Sequence, residues 1–376
     1  MNFVTMQLNN NQIIFFELVK AGLWEKEVWL SQFENIDYEE VYRLAVEQSV
    51  VGLVAAGIEH VTDVKIPQNV ALSFVGDTLQ LEQQNKAMNG FVAQLIEKLR
   101  KEDVYTILVK GQGIAQCYER PLWRASGDVD LLLSDINYEE AKNVLLPLAI
   151  DVEQEYESFK HIGMTMKGGY VVELHGTMHS RLSKRVDRGN DEAQKDVFYG
   201  GSVRSWLNGN TQVFLPGINN DVIFVFTHIL HHFYIEGIGL RQICDWCRSL
   251  WTYKDSLNRG LLESRIRKMG LMTEWKAFAA LAVDRLGMPV EAMPLYSYDR
   301  KWSKKAEKII SFVLETGNFG HNREREVAKT YMGGKLASTF RKLKDFGHHM
   351  RIFPVDSVKF FCYFAVDGIG GAMRGE

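Results

Sequence analysis

"LVKGQGIAQCYERPLWRASGDVDLLLS", residues 108–134, sets two aspartates one residue apart between a glycine turn and an apolar run. Side chains at i and i+2 of a strand point the same way, so a strand over 128–133 projects Asp128 and Asp130 from one face while Val129 packs behind. Two carboxylates held this close repel each other, and at neutral pH a divalent cation relieves the repulsion. Mg²⁺ suits such a pair, because it accepts one or two carboxylates and completes its shell with water and phosphate oxygens. A third acid follows in "YVVELHG": Glu173 reads as a strand residue, with Val172 and Leu174 on the opposite face. With that strand beside the first, Asp128, Asp130 and Glu173 form a three-carboxylate cluster able to hold two ions, as in-line displacement at phosphorus requires.

The residues around this stretch are organised to support it. "VYTILV" at 104–109 is a short β-branched run, "KGQG" a turn and "IAQCYER" a short helix. A strand that ends in a glycine turn and feeds a helix exposes backbone N–H groups, a cradle for phosphate built from Gly111 and Gly113, with Lys110 placed either to neutralise triphosphate charge or to serve as a surface lysine. "INYEEAKNVLLPLAI" reads as helix. The stretch from 151 to 178 reads as extended chain that turns at Gly168-Gly169 and returns antiparallel over 170–175, and "TQVFLPG" at 211–217 is a last strand. Upstream, Met88, Phe91, Val92, Leu95, Ile96 and Leu99 mark one face of an amphipathic helix. From residue 220 onward the patterns are again mostly helical.

The predicted layout is therefore α+β: a small mixed-sheet core over 103–216, a helical region over 1–102 and a helical domain over 217–376. The chain has 376 residues, 46% hydrophobic and 24% charged, with 7 prolines, which describes a folded globular protein rather than a disordered one. A formal net charge of −3 argues against a globally basic nucleic-acid binder, although "RLSKRVDR" at 181–188 and "RKLKDFGHHMR" at 341–351 are locally basic. The first residues lack a basic region followed by an apolar one, and no apolar run is long enough to span a bilayer, so no membrane partner and a cytoplasmic location are expected. Four cysteines are too few for a disulfide framework. Cys244 and Cys247 of "CDWC" fall within a helical pattern with no second pair, which reads as core thiols.

The order of strand, glycine turn, short helix, Asp-x-Asp strand and later strand acid resembles the nucleotidyltransferase superfamily of DNA polymerase β type. More narrowly, "LVKG", "R-x-x-GDVDLLL" and "VVELH", followed by "THILHH" and "LRQICDW", resemble a bacterial uncharacterised nucleotidyltransferase family over roughly residues 80–250. The resemblance implies an enzyme that binds an NTP with Mg²⁺ or Mn²⁺, two ions in all. Asp128, Asp130 and Glu173 would serve as metal ligands and catalytic acids, and Lys110, Gly111, Gly113 and Arg124 would lie along the nucleotide. It also implies transfer of an NMP to an acceptor hydroxyl that the sequence does not identify, with release of pyrophosphate. Where the superfamily has Gly-Ser or Gly-Gly, this chain has Gly111-Gln112-Gly113, so the serine that would contact a phosphate is missing.

Other residues have two readings each. Arg124 contacts phosphate or braces the aspartate loop. His175 shares the Glu173 face as a supporting or substrate group, or is a satisfied strand histidine. His228 and His232, four apart on a helix, with Asp245 downstream, could suggest a metal hydrolase, but no glutamate sits between them in the zincin arrangement, so packing or contact with the nucleotide module is the better reading. Two rivals to transfer stand: a nucleotide-binding or toxin-neutralising module of this fold without turnover, and an Asp-x-Asp glycosyltransferase, which would need a longer α/β region before the motif than residues 1–100 offer. If the carboxylates carry transfer, Asp128→Asn and Asp130→Asn each lower it by orders of magnitude with an unchanged circular dichroism spectrum, Glu173→Gln is comparably severe, and Cys244→Ser has no effect on the rate.

Overall fold

The structure is a computed structural model that describes residues 8–156, 159–320, 322 and 343–374. The first residues of the chain, 1–7, and the first two of the basic run at 341–351 lie outside the described residues. The chain opens with helices α1 (Asn10–Trp24), α2 (Tyr38–Glu47), α3 (Val51–Glu59) and α4 (Gln68–Lys101). α4 is far longer than the expected segment. Its buried side chains Val70, Phe74, Met88, Val92, Leu95 and Leu99 keep one stripe toward the protein over 34 residues, and Lys98, Arg100 and Lys101 close it against the negative end of the helix dipole.

Five strands then form one mixed sheet in the order β1 (Ile107–Val109), β2 (Asp128–Leu132), β5 (Val171–His175), β4 (His161–Met166), β3 (Ala149–Val152). Only the β2–β5 pair is parallel. A parallel neighbour needs a crossover, and here α6 (Asp135–Leu145) with β3 and β4 supplies it. The expected turn at Gly168-Gly169 joins β4 to β5, both glycines at positive φ. The helix expected over 114–120 lies earlier: α5 (Gly111–Ala115) takes up Gly111, Gln112 and Gly113 of the expected turn, and 116–120 are turns and bends instead. Past α7 (Lys184–Tyr199), the strand read alone at 211–217 is half of a hairpin, β6 (Val203–Asn208) with β7 (Thr211–Pro216), and β7 lies against β1. β6 escapes a reading by hydrophobicity because its residues alternate exposed and half-buried until Asn208. The helical remainder comprises α8 (Ile218–Ile235), α9 (Leu240–Thr252), α10 (Arg259–Met269), α11 (Met272–Asp284), α12 (Arg300–Thr316), the described part of α13 (343–352) and α14 (Pro354–Arg374).

Alternation along β2 and β5 divides the protein. Val129, Leu131, Val172 and Leu174 enter a core with the second half of α4 and with Tyr138, Ala141 and Leu145 of α6. The opposite face carries Asp128, Asp130, Glu173 and His175, and Ile107, Val109 and Leu132 on that side join the core built by the N-terminal helices and α8 to α12. The fold thus has an apolar layer behind the sheet and a helical wall before it. α1 and α3 cross so closely that a Cβ on Gly57 would lie 2.0 Å from the Leu18 carbonyl oxygen, and one on Gly22 would lie 1.9 Å from that of Leu53. Gly57→Ala should therefore cost about 1–3 kcal/mol in urea unfolding, whereas Gly76→Ala, in a part of α4 where the new Cβ meets nothing within 4 Å, should stabilise by about 0.4–1 kcal/mol.

Candidate active site

Register places the carboxylates. Asp130 stands opposite Glu173 across the parallel β2–β5 ladder, and Asp128, two residues earlier on the same face, completes a group in which one oxygen from each carboxylate lies within 4.8 Å of the others. The loop before β2 is fastened on both sides. Asn85 of α4 donates to the carbonyls of Leu122 (2.8 Å) and Arg124 (2.9 Å) and accepts from Ser126 Oγ (2.6 Å), while Arg241 of α9 donates to the Ala125 carbonyl (2.8 Å).

Positive groups face the acids. Lys110 Nζ lies 2.6 Å from Asp130 Oδ1, and His175 Nε2 lies 2.9 Å from the same oxygen and 3.3 Å from Glu173 Oε2. His161 Nε2 is 3.2 Å from Glu173 Oε2. Repulsion from Asp130, then burial, pushes the Asp128 carboxyl above its ordinary range, with Lys110 opposing. Burial pulls Glu173 upward too, but hydrogen bonds with His161 and His175 win and hold it well below the usual value. Burial likewise works against charge on Lys110, and the carboxylates, Asp130 foremost, more than offset it. His175 follows the same pattern: burial lowers it, and the bonds to Asp130 and Glu173 raise it overall.

The carboxylates open into a cavity of about 490 Å³ whose far wall is α8 and α9. His228, His231 and His232 line it: His228 Nε2 is 3.0 Å from His232 Nε2, and His231 Nδ1 is 2.7 Å from the Ser180 carbonyl. Burial first, then Lys110 and the other histidines, pushes His228 well down, and burial and His232 bring His231 down to about 4. Arg124 is turned to α9, its Nε and Nη2 donating to Asp245 at 3.0 and 2.7 Å, and Tyr118 Oη donates to the same aspartate at 2.7 Å. Arg241 keeps a buried Nε with no partner beside this pair. At the mouth, Tyr156 and Phe159 stack at 5.1 Å. A second cavity of about 470 Å³ adjoins, sharing Phe159, His179 and Arg181 with the first and adding Lys184 and Arg188 of α7.

The structure thus brings Lys110, Gly111, Arg124, Asp128, Asp130, Glu173, His175 and His228 to one cavity. Gly113 is elsewhere: a Cβ there would lie 2.7 Å from Leu215 Cδ2, so its lack of a side chain serves packing against β7. Gln112, at the position of the missing serine, donates instead to Asn89 (2.8 Å) and Asn85 (3.2 Å) of α4. Cys244 and Cys247 are buried free thiols. Sequence reasoning missed His161 and Arg241 as members of the cavity, and it weighed Asp245 only as a companion of His228 and His232. For His161 a signal existed: it stands as far before Gly168 as His175 stands after it, and the hairpin pairs the two directly. Arg241 and Asp245 lie in the quoted motif "LRQICDW", but nothing local in it says which surface they meet, since only the docking of α9 brings them to the cavity.

A sheet with clustered acids, a basic partner and a polar cavity makes a candidate metal-binding site. The family described as uncharacterised nucleotidyltransferase matches residues 34–287, about two thirds of the chain, and the chain belongs to that family. Searches among curated proteins and among solved structures each returned no match. Among the described residues, no helix is long and apolar enough to cross a membrane. The donor chemistry fits a divalent cation, since three carboxylates share one face and the charge of Asp130 is met at contact distance by Lys110.

Two aspartates of this cavity should respond oppositely to isosteric neutralisation. Asp245→Asn leaves Arg124 buried without its countercharge and should cost about 3–5 kcal/mol. Asp128 binds its proton more tightly folded than unfolded, so its ionisation lowers stability as pH rises through the carboxylate range. Asp128→Asn in chelator should therefore be at least as stable as wild type at pH 7.5, with the difference shrinking toward pH 4, as urea unfolding at the two pH values will measure.

Proposed function

We propose that the protein transfers a nucleoside monophosphate from an NTP to an acceptor hydroxyl and releases pyrophosphate. The observation that carries this reading is the convergence of Asp128, Asp130 and Glu173 on one cavity, in a chain of a nucleotidyltransferase family. Divalent cations held by these three acids would supply charge neutralisation to the triphosphate and the leaving pyrophosphate. The acceptor oxygen bonds to the α-phosphorus as the bond from that phosphorus to the β-bridging oxygen breaks, and the hydroxyl proton leaves to water with the help of Glu173. Lys110, already held against Asp130, and Arg241, whose Nε has no partner among the described residues, are cations of the cavity lining available to phosphate oxygens. Arg124 acts through Asp245 as a positioning residue for the loop that carries Asp128. The stacked Tyr156 and Phe159 offer a platform for the base. In this reading residues 103–216 are the nucleotide-handling core, and the helices before and after it hold the core and close the acceptor side.

The adjoining cavity is the place for the acceptor, and its chemistry suits one that bears an anionic group. Its acids are already engaged, Asp187 by the backbone N–H groups of Ser180 and Arg181 and Asp191 by His179 at 2.8 Å. Lys184 and Arg188 have no carboxylate partner among the described residues. They also occupy the first turns of α7, where the helix dipole disfavours cations, so helix stability does not account for them. The test is incubation with each α-labelled NTP, Mg²⁺ or Mn²⁺, and a small-molecule extract split by anion exchange. Labelled product with pyrophosphate release is expected from the anion-retained fraction. Lys184→Gln with Arg188→Gln should raise the KM for that acceptor by about tenfold or more, the loss of one to two charge-assisted hydrogen bonds, with a smaller effect on kcat. Nucleotide binding without pyrophosphate release from any fraction would make the protein a binding module instead.

A further inference from the structure

The cavity holds a second donor set of different chemistry from the three carboxylates. His161 Nε2 and His175 Nε2 stand 3.2 and 3.3 Å from one and the same oxygen, Glu173 Oε2, and the two rings are 4.8 Å apart at their centroids. The ligand atoms of His161, Glu173 and His175 all lie within 4.8 Å of one another. Two donors bound to one ion by bonds of about 2.0–2.1 Å stand about 3.0 Å apart at a right angle and about 3.4 Å apart at the tetrahedral angle, and both nitrogen–oxygen separations fall within that interval. The convergence is built into the backbone, since His161 pairs directly with His175 across β4 and β5, and Glu173 lies two residues before His175 on the same face. Hydrogen bonding alone serves the group poorly. The Nε2 of His175 reaches both Asp130 and Glu173, and one N–H cannot point well at two oxygens while a second imidazole competes for one of them.

We infer that Glu173 joins two metal sites of unlike preference. Asp128, Asp130 and Glu173 form an all-oxygen site that suits Mg²⁺, while His161, Glu173 and His175 form a mixed nitrogen and oxygen site that selects a first-row transition ion such as Mn²⁺ or Zn²⁺ over Mg²⁺. The assignment deepens the transfer reading, on which it rests only for the use to which the second ion is put.

The test needs neither nucleotide nor acceptor. Metal-stripped full-length protein is loaded with Mn²⁺ alone, and bound ions are counted by equilibrium dialysis while pulsed electron paramagnetic resonance looks for the ¹⁴N modulation of a directly coordinated imidazole. Wild type should bind two ions and show the modulation. His161→Gln with His175→Gln should bind one and lose it, and Asp128→Asn should keep it. Mn²⁺ bound without ¹⁴N modulation in wild type overturns the inference with no variant required. So does failure to bind Mn²⁺ at all, or a double variant whose stoichiometry and spectrum match wild type. Transfer activity with no ¹⁴N signal would overturn this assignment alone, and a ¹⁴N signal in a protein that transfers nothing would overturn only the transfer reading.

Discussion

Repulsion between like charges is the constraint around which the centre of this protein is arranged. The parallel pairing of β2 with β5 puts Asp130 opposite Glu173 and leaves Asp128 on the same face, so three carboxylates must share a small, largely enclosed volume. The surrounding residues answer that cost one at a time: Lys110 and His175 meet Asp130, and His161 and His175 meet Glu173. Asp128 receives the least, and its raised carboxyl records the imbalance. A cluster of this kind is held together by the apolar layer behind it. Val129, Leu131, Val172 and Leu174 pack against α4 and α6, and that burial fixes the register from which the acids cannot relax.

The opposite wall of the cavity has its charge settled differently. Arg124 and Asp245 form a buried pair with two hydrogen bonds, joined by Tyr118. A pair so satisfied adds little net stability but makes the docking of α9 onto the aspartate loop specific, because any other placement strands a buried charge. His228 and His231, both pushed down by burial, line the same wall. The unmet electrostatic demand therefore sits around the acids on the sheet side and at Arg241 of α9, whose buried Nε has no partner among the described residues. It also sits in the adjoining cavity, where Lys184 and Arg188 have no carboxylate partner among the described residues.

Much of the centre is legible along the chain because it depends on period and local turns. Alternation about Val129 and about Val172 and Leu174 assigns the acids to one face, and the paired glycines at 168 and 169 announce the hairpin that carries Glu173 and His175. The long apolar stripe of α4 follows from the same kind of local rule, whereas the short helix begins at Gly111, inside the stretch that local glycines mark as a turn. β6 is not legible in that way, since its side chains alternate exposed and half-buried and its partner β7 alone shows an apolar pattern. The family to which the chain belongs was likewise foreshadowed by contiguous motifs, from "LVKG" to "VVELH".

What the sequence determined by itself is thus the set of groups and the faces on which they lie, for side-chain direction in a strand or helix follows from backbone period within a few residues. Tertiary structure decided which of those faces meet. Arg124 turns to Asp245, more than a hundred residues later, rather than into open cavity, and Gly113 packs on Leu215 rather than facing the acids. Arg241 and the histidines of α8 become cavity wall, and the basic residues of α7 gather beside Phe159. Each of these contacts depends on how helices dock across a core, which is set by the summed packing of many distant side chains, and no local pattern carries that sum.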